Sequence, residues 1–195
     1  FRILYNKSPK IVYPPIDDEF LLNLDIQKKN KDDENYYVYL GRLESYKGIE
    51  YIVDACIKMN RRLKVIGVGS LKEKLPIHPL IEYLGYVDEK SKYEILSNSN
   101  ALINGSREDF GIIYLDALSS ATPIIAFGEG GVLEIAKEGE NAIYFNSQDS
   151  KSLMDAIKIF EEKNLVISNE MRLNVINKFG KDRFKREVLD IIEEI

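Results

Sequence analysis

The sequence predicts an α/β fold, a mainly parallel sheet of about six strands with helices on both faces. From residue 36 onward, short apolar runs alternate with segments whose apolar residues recur at helical spacing. Polar or glycine-rich segments follow the apolar runs, as loops at one edge of a sheet would. Strands that alternate with helices are joined by right-handed crossovers, so the strands run parallel and helices cover both faces.

Six runs rich in β-branched and aromatic residues are predicted to be the strands. They cover residues 36–40, 63–66, 81–84, 101–104, 123–127 and 142–145. Two of the helices predicted between them cover residues 49–57 and 88–97. A short helix is predicted after Gly69, another helix begins near Phe110, and a further one begins at Gly130 and Gly131. Three more, over residues 152–163, 169–178 and 181–195, follow without an intervening strand.

The first part of the chain is predicted to differ from this pattern. Pro14 and Pro15 cannot continue a helix and bias Tyr13 toward extended geometry, so we interpret residues 1–17 as an extended linker. Residues 28–35 are predicted to be a charged, solvated loop. Residues 18–195 are therefore interpreted as one domain that includes the C-terminal helices.

Composition excludes several functional classes. The chain has 195 residues, a net charge of -5 and 45% hydrophobic residues, which argues against a general nucleic-acid-binding protein. The single cysteine, Cys56, excludes an intrachain disulfide and fits a reducing compartment, so we expect a cytoplasmic protein. Cysteine and histidine residues do not cluster with metal-ligand spacing, and no apolar run is long enough to span a membrane.

The segment from Ser106 to Ala117 is the most informative part of the chain. Glu108 and Asp116 are eight positions apart, which is a little over two turns of α-helix. A helix beginning near Phe110 would leave Glu108 in the preceding loop and place Asp116 two turns in. The unpaired N–H groups of a helix N-terminus favour an anion such as phosphate. The layout predicts an elongated ligand with a sugar, phosphates and a ribose.

Two cations follow the first predicted strand. Arg42 and Lys47 lie in the loop that runs from Gly41 to Gly48 and opens a helix. Arginine binds phosphate bidentately and lysine acts as a point charge, so the pair is suited to a diphosphate. The alternative is a solvated loop with salt bridges to Glu44 or Glu50.

Glycines mark two other loops that follow strands. Gly67 and Gly69 begin like a dinucleotide-binding fingerprint, but its third glycine is replaced by Lys72 and no acidic residue follows to bind a ribose. We interpret them as a tight turn where the backbone approaches a ligand or another loop. Gly130 and Gly131 permit close approach of a phosphate or a sugar, and a plain strand-to-helix turn is the alternative.

Taken together, these motifs resemble the C-terminal, donor-binding domain of the family-4 retaining glycosyltransferases (glycosyl transferases group 1), which have the GT-B fold. The resemblance extends from about residue 11 to residue 162. Its marks are residues 12–17, the loop 41–48, the glycines of 67–69, residues 84–87, the carboxylate segment 108–116, and residues 130–134.

The resemblance implies a role for each matching residue. Arg42 and Lys47 would hold the donor diphosphate, and Glu108 would contact the donor sugar; these three form the predicted catalytic set. Asp116 would bind the ribose hydroxyls. The other residues implied in nucleotide-sugar binding are Gly41, Gly69, Tyr86, Val87, Lys92, Phe110, Gly111, Ile112, Leu115, Gly130 and Gly131. Among them, Tyr86 and Val87 would meet the nucleobase through their backbone.

Two residues depart from the family pattern. The family usually has a glutamate where this chain has Asp116, whose side chain is one methylene shorter, so the ribose contact could be longer, water-mediated or absent. The family also commonly has a small residue and a glycine before Pro123, where this chain has Ala121 and Thr122.

The resemblance also implies what the rest of the enzyme does. The chain would be one Rossmann-like half of a GT-B enzyme, bind a nucleoside-diphosphate sugar and transfer little by itself. An N-terminal domain outside this chain would bind the glycan or lipid-linked acceptor of a hexose such as glucose or mannose. We expect no metal or other cofactor, no nucleic-acid partner, and peripheral membrane association of the full enzyme.

Two other functions stay open on the sequence alone. A non-hydrolysing sugar-nucleotide epimerase shares the GT-B architecture, but it predicts a catalytic carboxylate or histidine set that we do not find. A non-catalytic module that binds a glycan or a protein on a degenerate transferase scaffold is compatible with the departure at Asp116.

Overall fold

The computed structural model of the chain describes residues 9–24 and 35–194. The strands are β1 (Tyr36–Leu40), β2 (Arg62–Ile66), β3 (Ile81–Gly85), β4 (Leu102–Asn104), β5 (Ile124–Phe127) and β6 (Ala142–Phe145). The helices are α1 (Asp18–Asn23), α2 (Ile49–Lys58), α3 (Glu89–Asn98), α4 (Ile112–Ser119), α5 (Val132–Ile135), α6 (Ser150–Lys163), α7 (Asn169–Phe179) and α8 (Lys181–Glu193).

All six strands form one parallel sheet in the order β3-β2-β1-β4-β5-β6. This confirms the predicted α/β, Rossmann-like fold. The strand order reverses between β1 and β4, and ligands of doubly wound sheets bind outside the carboxyl ends of the strands at such a point. The loop after β1 and the loop after β4 are therefore neighbours at the edge where a ligand is expected.

The sheet separates two layers of core because successive side chains of a strand point to opposite faces. On one face, Tyr37 and Tyr39 of β1 pack with α2 and α6. On the other face, Tyr36 and Val38 pack with α3, α4 and α7. Cys56 lies in the first layer, and burial raises the pKa of its thiol to about 12. This cysteine is therefore a core residue without thiolate reactivity at neutral pH.

Several boundaries differ from those predicted. Helix α6 begins at Ser150, before the predicted residue 152, because the side chain of Asp149 accepts a hydrogen bond from the Ser152 N–H at 2.8 Å and caps the helix. The short helix predicted after Gly69 is a single 3-10 turn, Lys72–Lys74. Helix α1 was not predicted. Residues 1–8 of the predicted linker and 28–34 of the predicted loop lie outside the described residues.

Arg172 explains how α1 is held. This arginine is only 4% exposed, and its guanidinium donates to the carbonyl of Ser119 at 2.8 Å and to the carbonyl of Leu21. It therefore ties α7 to the end of α4 and to α1. Burial lowers the pKa of Arg172, and hydrogen bonds to main-chain oxygens accommodate its charge. None of the helices in the described ranges is both long and apolar enough to cross a bilayer.

Ala121 has a left-handed backbone with φ of 56°, just after α4, in the region where the family commonly has a glycine. A side chain in this conformation costs about 1–2 kcal/mol, and glycine avoids the cost. We expect Ala121→Gly to raise the free energy of unfolding by about 0.5–1 kcal/mol, measured by urea denaturation.

Asn164 supplies a matched control, since it is also left-handed, with φ of 50°. Asparagine tolerates this conformation, so Asn164→Gly should change the stability by less than about 0.5 kcal/mol. A loss of stability in Ala121→Gly would contradict the interpretation.

Candidate functional site

The loop after β1 and the loop after β4 are joined by an ion pair. Lys47 Nζ lies 2.7 Å from Glu108 Oε1, and each side chain is 18% exposed. Lys47 ends the 3-10 turn Ser45–Lys47, and Gly48, with φ of 74°, turns the chain into α2. Two members of the predicted catalytic set, 61 positions apart in the sequence, are thus in direct contact.

Glu108 accepts two further hydrogen bonds on the same oxygen. Ser106 Oγ donates to Oε1 at 2.6 Å, and Asn104 Nδ2 lies at 3.4 Å. Burial by itself raises the pKa of Glu108, but the hydrogen bonds from Lys47, Ser106 and Asn104 and the charge of Lys47 outweigh it, and the net pKa lies below the usual value. The carboxylate is therefore ionised at neutral pH.

Helix α4 begins two residues later than predicted. Its first residue is Ile112, and Gly111 precedes it in the left-handed conformation, with φ of 86°. This turn ends the loop and delays the helix, which the prediction placed near Phe110. Asp116 is consequently the fifth helical residue, a little over one turn into the helix rather than two. Glu108 does lie in the loop before the helix, as predicted.

Asp116 is buried between α3 and α4 and has both oxygens occupied. It is 5% exposed; Lys92 Nζ lies 3.0 Å from Oδ2, and the Tyr93 hydroxyl donates to Oδ1 at 3.1 Å. Lys92 also contacts Glu89 at 2.7 Å. Burial raises the pKa of Asp116, and Lys92 and Tyr93 oppose the shift only in part. The structure thus places Lys92 against Asp116, and the ribose contact of Asp116 stays a prediction.

Arg42 makes no ion pair within the described ranges. Its side chain is exposed, and its Cζ lies 5.6 Å from the centroid of the Tyr46 ring. Glu44 is instead held by Ser70, whose N–H and hydroxyl donate to it at 3.0 and 2.6 Å and lower its pKa. The alternative in which Arg42 pairs with Glu44 or Glu50 is not the arrangement found.

The loop after β2 packs directly on the loop after β1. A Cβ atom at Gly69 would lie 2.4 Å from the carbonyl oxygen of Leu43, and one at Gly67 would lie 1.8 Å from that of Gly41. The Leu43 N–H also donates to the Val68 carbonyl at 3.0 Å. These glycines therefore serve the close approach of another loop, one of the two interpretations made from the sequence.

Gly130 and Gly131 play the same part beside Glu108. A Cβ atom added at Gly130 would lie 2.3 Å from the carbonyl oxygen of Glu108. One added at Gly131 would lie 2.0 Å from the carbonyl oxygen of Phe110. The Gly131 N–H donates to the Glu108 carbonyl at 2.8 Å. The loop after β5 thus packs closely against the backbone of the loop that carries Glu108, and the absence of side chains at Gly130 and Gly131 permits this contact.

The remaining predicted residues fall into two groups. Leu115 is fully buried in the core, so any contact with a ligand would come from its backbone, and its part in nucleotide-sugar binding stays a prediction. Phe110 stacks on Tyr13, with ring centroids 5.0 Å apart, which leaves its backbone for the predicted contact. Tyr86 and Ile112 are exposed, at 86% and 48%, and Val87 is half-buried.

A cavity of ≈ 1120 Å³ lies elsewhere, at the amino-terminal edge of the sheet. Its lining includes the ion pair between Arg61 and Glu161, with nitrogen–oxygen distances of 2.6 and 2.9 Å, and Tyr37, which donates to Glu161 at 2.9 Å. Parallel sheets bind their ligands at the opposite edge, so we do not take this cavity as the candidate site. Within the described part of the chain, no three His, Cys, Asp or Glu side chains cluster as a metal site would require.

The sequence matches the family model for glycosyl transferases group 1 over residues 23–181. The chain belongs to this family. The match and the fold confirm the family that the sequence resembles and the interpretation of the chain as a C-terminal GT-B domain.

Among curated relatives, the chain is similar to an uncharacterized glycosyltransferase of Methanocaldococcus jannaschii, with 25% identity over 93% of the chain and 53% of the relative. It is also similar to N-acetyl-alpha-D-glucosaminyl L-malate synthase of Bacillus anthracis, with 23% identity over 82% of the chain and 46% of that enzyme. The chain spans about half the length of these relatives.

Solved structures share the fold. Anabaena HepE in complex with UDP-glucose superposes with a TM-score of 0.76 at 16% identity, over 95% of this chain and 57% of HepE. Sucrose-phosphate synthase of Thermosynechococcus elongatus superposes with a TM-score of 0.73 at 22% identity, over 94% of this chain and 49% of that one.

Sequence reasoning missed several residues of the site. Asn104, Ser106, Tyr93 and Tyr114 all take part in its hydrogen bonds. A signal was available for two of them, because Asn104 and Ser106 are polar residues at or just after the end of an apolar strand, four and two positions before Glu108. The positions of Tyr93 and Tyr114 in the sequence indicate ordinary buried residues of helices. They do not show which groups the two hydroxyls contact.

The pair of Lys92 and Asp116 generates a prediction on stability. Lys92→Met leaves a buried carboxylate without its cation, which should lower the free energy of unfolding by about 3 kcal/mol at pH 7. Because the folded pKa of Asp116 lies above its unfolded value, its contribution to stability is present below about pH 4 and is lost as pH rises through the folded pKa. The defect of the variant should therefore shrink on acidification.

Urea denaturation at pH 7 and near pH 4 measures both effects. The matched control is Lys90→Met, an exposed lysine of the same helix that lies 3.9 Å from Glu94. Its effect should stay below about 0.5 kcal/mol at either pH. A defect in Lys92→Met that is equally large at both pH values would show that the carboxylate charge is not its cause.

Proposed function

We propose that this chain is the donor-binding domain of a retaining glycosyltransferase. The enzyme would move a hexose, such as glucose or mannose, from a nucleoside-diphosphate sugar to a glycan or lipid-linked acceptor. The observation that carries the proposal is the contact between Lys47 and Glu108 at the switch point of the sheet. It places a cation and an ionised acceptor side by side where doubly wound sheets bind ligands.

The local chemistry matches the two ends of a sugar diphosphate. The ammonium of Lys47 has further N–H donors beyond the one directed at Glu108, and Arg42 offers an exposed guanidinium 5.6 Å from the same Tyr46 ring that Lys47 approaches at 5.5 Å. Both cations therefore approach the Tyr46 ring, and Lys47 also contacts Glu108 in the loop that leads into α4. A diphosphate bound there would be stabilised as negative charge develops on it during transfer.

Glu108 is suited to bind the hydroxyl groups of the sugar. A carboxylate accepts hydrogen bonds from hydroxyls, and ionisation at neutral pH keeps it an acceptor. We propose that it orients the donor sugar rather than attacking it. At the nucleoside end, Lys92 and Asp116 lie between α3 and α4, next to the open Tyr86 loop. Anabaena HepE, which shares the fold, was crystallised with UDP-glucose.

The remaining parts of the proposal concern the whole enzyme. Acceptor binding would come from an N-terminal domain, since the chain covers about half of its curated relatives. Lys47, Arg42 and the helix N-terminus would replace a metal ion in stabilising the leaving group. We further propose a cytoplasmic enzyme that associates peripherally with the membrane when its acceptor is lipid-linked, and that transfers little as the isolated domain.

Calorimetric titration of the chain with UDP, GDP and ADP tests the diphosphate site. We expect one of the three to bind, and Arg42→Ala to weaken its binding by about 10-fold or more, because a hydrogen bond to a charged group contributes about 1.5–3 kcal/mol. Arg186→Ala, which removes an exposed arginine on α8, is the control and should bind like the wild type. If none of the diphosphates binds at millimolar concentration, the proposal fails.

The role of Glu108 is tested by comparing the sugar donor with its bare diphosphate. Glu108→Gln keeps the shape of the side chain but removes its charge, so we expect it to weaken UDP-glucose binding by about 10-fold and UDP binding much less. GDP-mannose and GDP replace this pair if guanosine is the preferred base. Equal losses for the donor and for the diphosphate would assign Glu108 to the phosphates or to the fold instead.

A further inference from the structure

The hydrogen bonds of Glu108 are one-sided. Lys47, Ser106 and Asn104 all approach Oε1, at 2.7, 2.6 and 3.4 Å. Oε2 accepts no hydrogen bond from any residue within the ranges 9–24 and 35–194. When all the donors of a carboxylate bind one oxygen, the other oxygen can still accept hydrogen bonds from a ligand. The donors around the bonded oxygen also set the orientation of the carboxylate plane.

Asn104 is the centre of this arrangement. It ends β4, is 2% exposed, and its Oδ1 accepts from the Ser106 N–H at 3.0 Å and from the Tyr114 hydroxyl at 3.0 Å. A backbone N–H can only donate, so the atom that faces Ser106 must be the amide oxygen. The amide nitrogen is thereby directed to the opposite side, toward Glu108. The orientation of the side chain is thus fixed by chemistry as well as by packing.

Tyr114 anchors this orientation from α4. Its side chain is fully buried, and burial raises the pKa of its phenol, so the hydroxyl keeps its proton and serves as a donor. The resulting chain of groups runs from Tyr114 through Asn104 to Glu108. It couples the first turn of α4 to the carboxylate that precedes the helix by only a few residues.

We propose that Asn104 is a positioning residue for Glu108. Held by Tyr114 and Ser106, it fixes Glu108 through Oε1 so that Oε2 is presented to a hydroxyl of the donor sugar. This inference rests on the proposed function in one respect, that the ligand at Oε2 is a sugar. The positioning itself exists in the free protein and is measurable without any ligand.

The competing explanation is that Asn104 only caps the turn at Ser106. Asn141 is an example of an asparagine that only caps a turn. It is 9% exposed, and its Oδ1 accepts a hydrogen bond from the Lys137 N–H at 2.7 Å. Asn104→Leu and Asn141→Leu delete the same amide from two buried turns. Both should lower stability, but only the first should change the properties of Glu108.

The first measurement is the titration of the Glu108 carboxyl carbon by NMR in the free protein. We expect its midpoint to rise in Asn104→Leu, because a donor to the charged form is lost, and to stay at the wild-type value in Asn141→Leu. Tyr114→Phe removes only the hydroxyl that orients Asn104, and should give a smaller shift in the same direction. It keeps the test valid if Asn104→Leu does not fold.

The second measurement is the ratio of affinities for UDP-glucose and UDP, or for GDP-mannose and GDP where that pair binds. Asn104→Leu should lower the sugar-to-diphosphate ratio by about 2- to 5-fold, as expected if the hydrogen bond between the sugar and the charged Glu108 is weakened but not lost. Asn141→Leu should leave the ratio unchanged.

The two measurements separate the two hypotheses. If the wild type binds none of these ligands, the proposed function fails while the titration still tests the positioning. A Glu108 midpoint that is the same in wild type, Asn104→Leu and Tyr114→Phe overturns the positioning role. So does a sugar-to-diphosphate ratio that Asn104→Leu leaves unchanged.

Discussion

The reversal of strand order between β1 and β4 is the constraint on which the site depends. It sends the crossover helices of the two halves of the sheet in opposite directions, so the loops after these two strands have no helix packed between them. Within each half of the sheet, a neighbouring loop supports one of these two: Gly69, after β2, lies against Leu43, and Gly131, after β5, lies against Phe110. Side chains at these glycines would displace the loops that carry Lys47 and Glu108, and the contact between these two residues depends on the position of both loops.

The two carboxylates of the site show how the same functional group is given opposite properties. Each is paired with a lysine, yet the pKa of Glu108 is lowered and that of Asp116 is raised. Glu108 is half-buried and has three donors on one oxygen, so hydrogen bonding outweighs the loss of hydration. Asp116 is almost fully buried, so the loss of hydration dominates. Within the described residues, Glu108 keeps one oxygen without a hydrogen-bond donor, whereas both oxygens of Asp116 have donors within the protein.

Most of the fold could be predicted from the sequence because buried parallel strands form short, continuous apolar runs that Gly and Asp residues interrupt. All six strands were found this way, and family motifs indicated Lys47 and Glu108 as separate site residues without showing that they are in contact. The errors have local causes. The left-handed turn at Gly111 delayed α4, and α1 was missed because its stability comes from the distant Arg172. Periodicity could not show that Lys92 covers Asp116, since that contact joins side chains of two packed helices.

The two ends of the described chain are fastened to each other beneath this site. The Ile16 N–H donates to the Phe179 carbonyl at 2.9 Å, and Asp18 accepts from the Lys181 N–H at 2.9 Å. Tyr13 reaches from the same segment to stack on Phe110, next to Glu108. Mechanical load applied to either segment is therefore shared by both, and it reaches the loop of Glu108 through the rings of Tyr13, Phe110 and Phe179, which contact one another. The position of Glu108 is therefore sensitive to the positions of two segments outside the sheet, the one that contains Tyr13 and the one that contains Phe179.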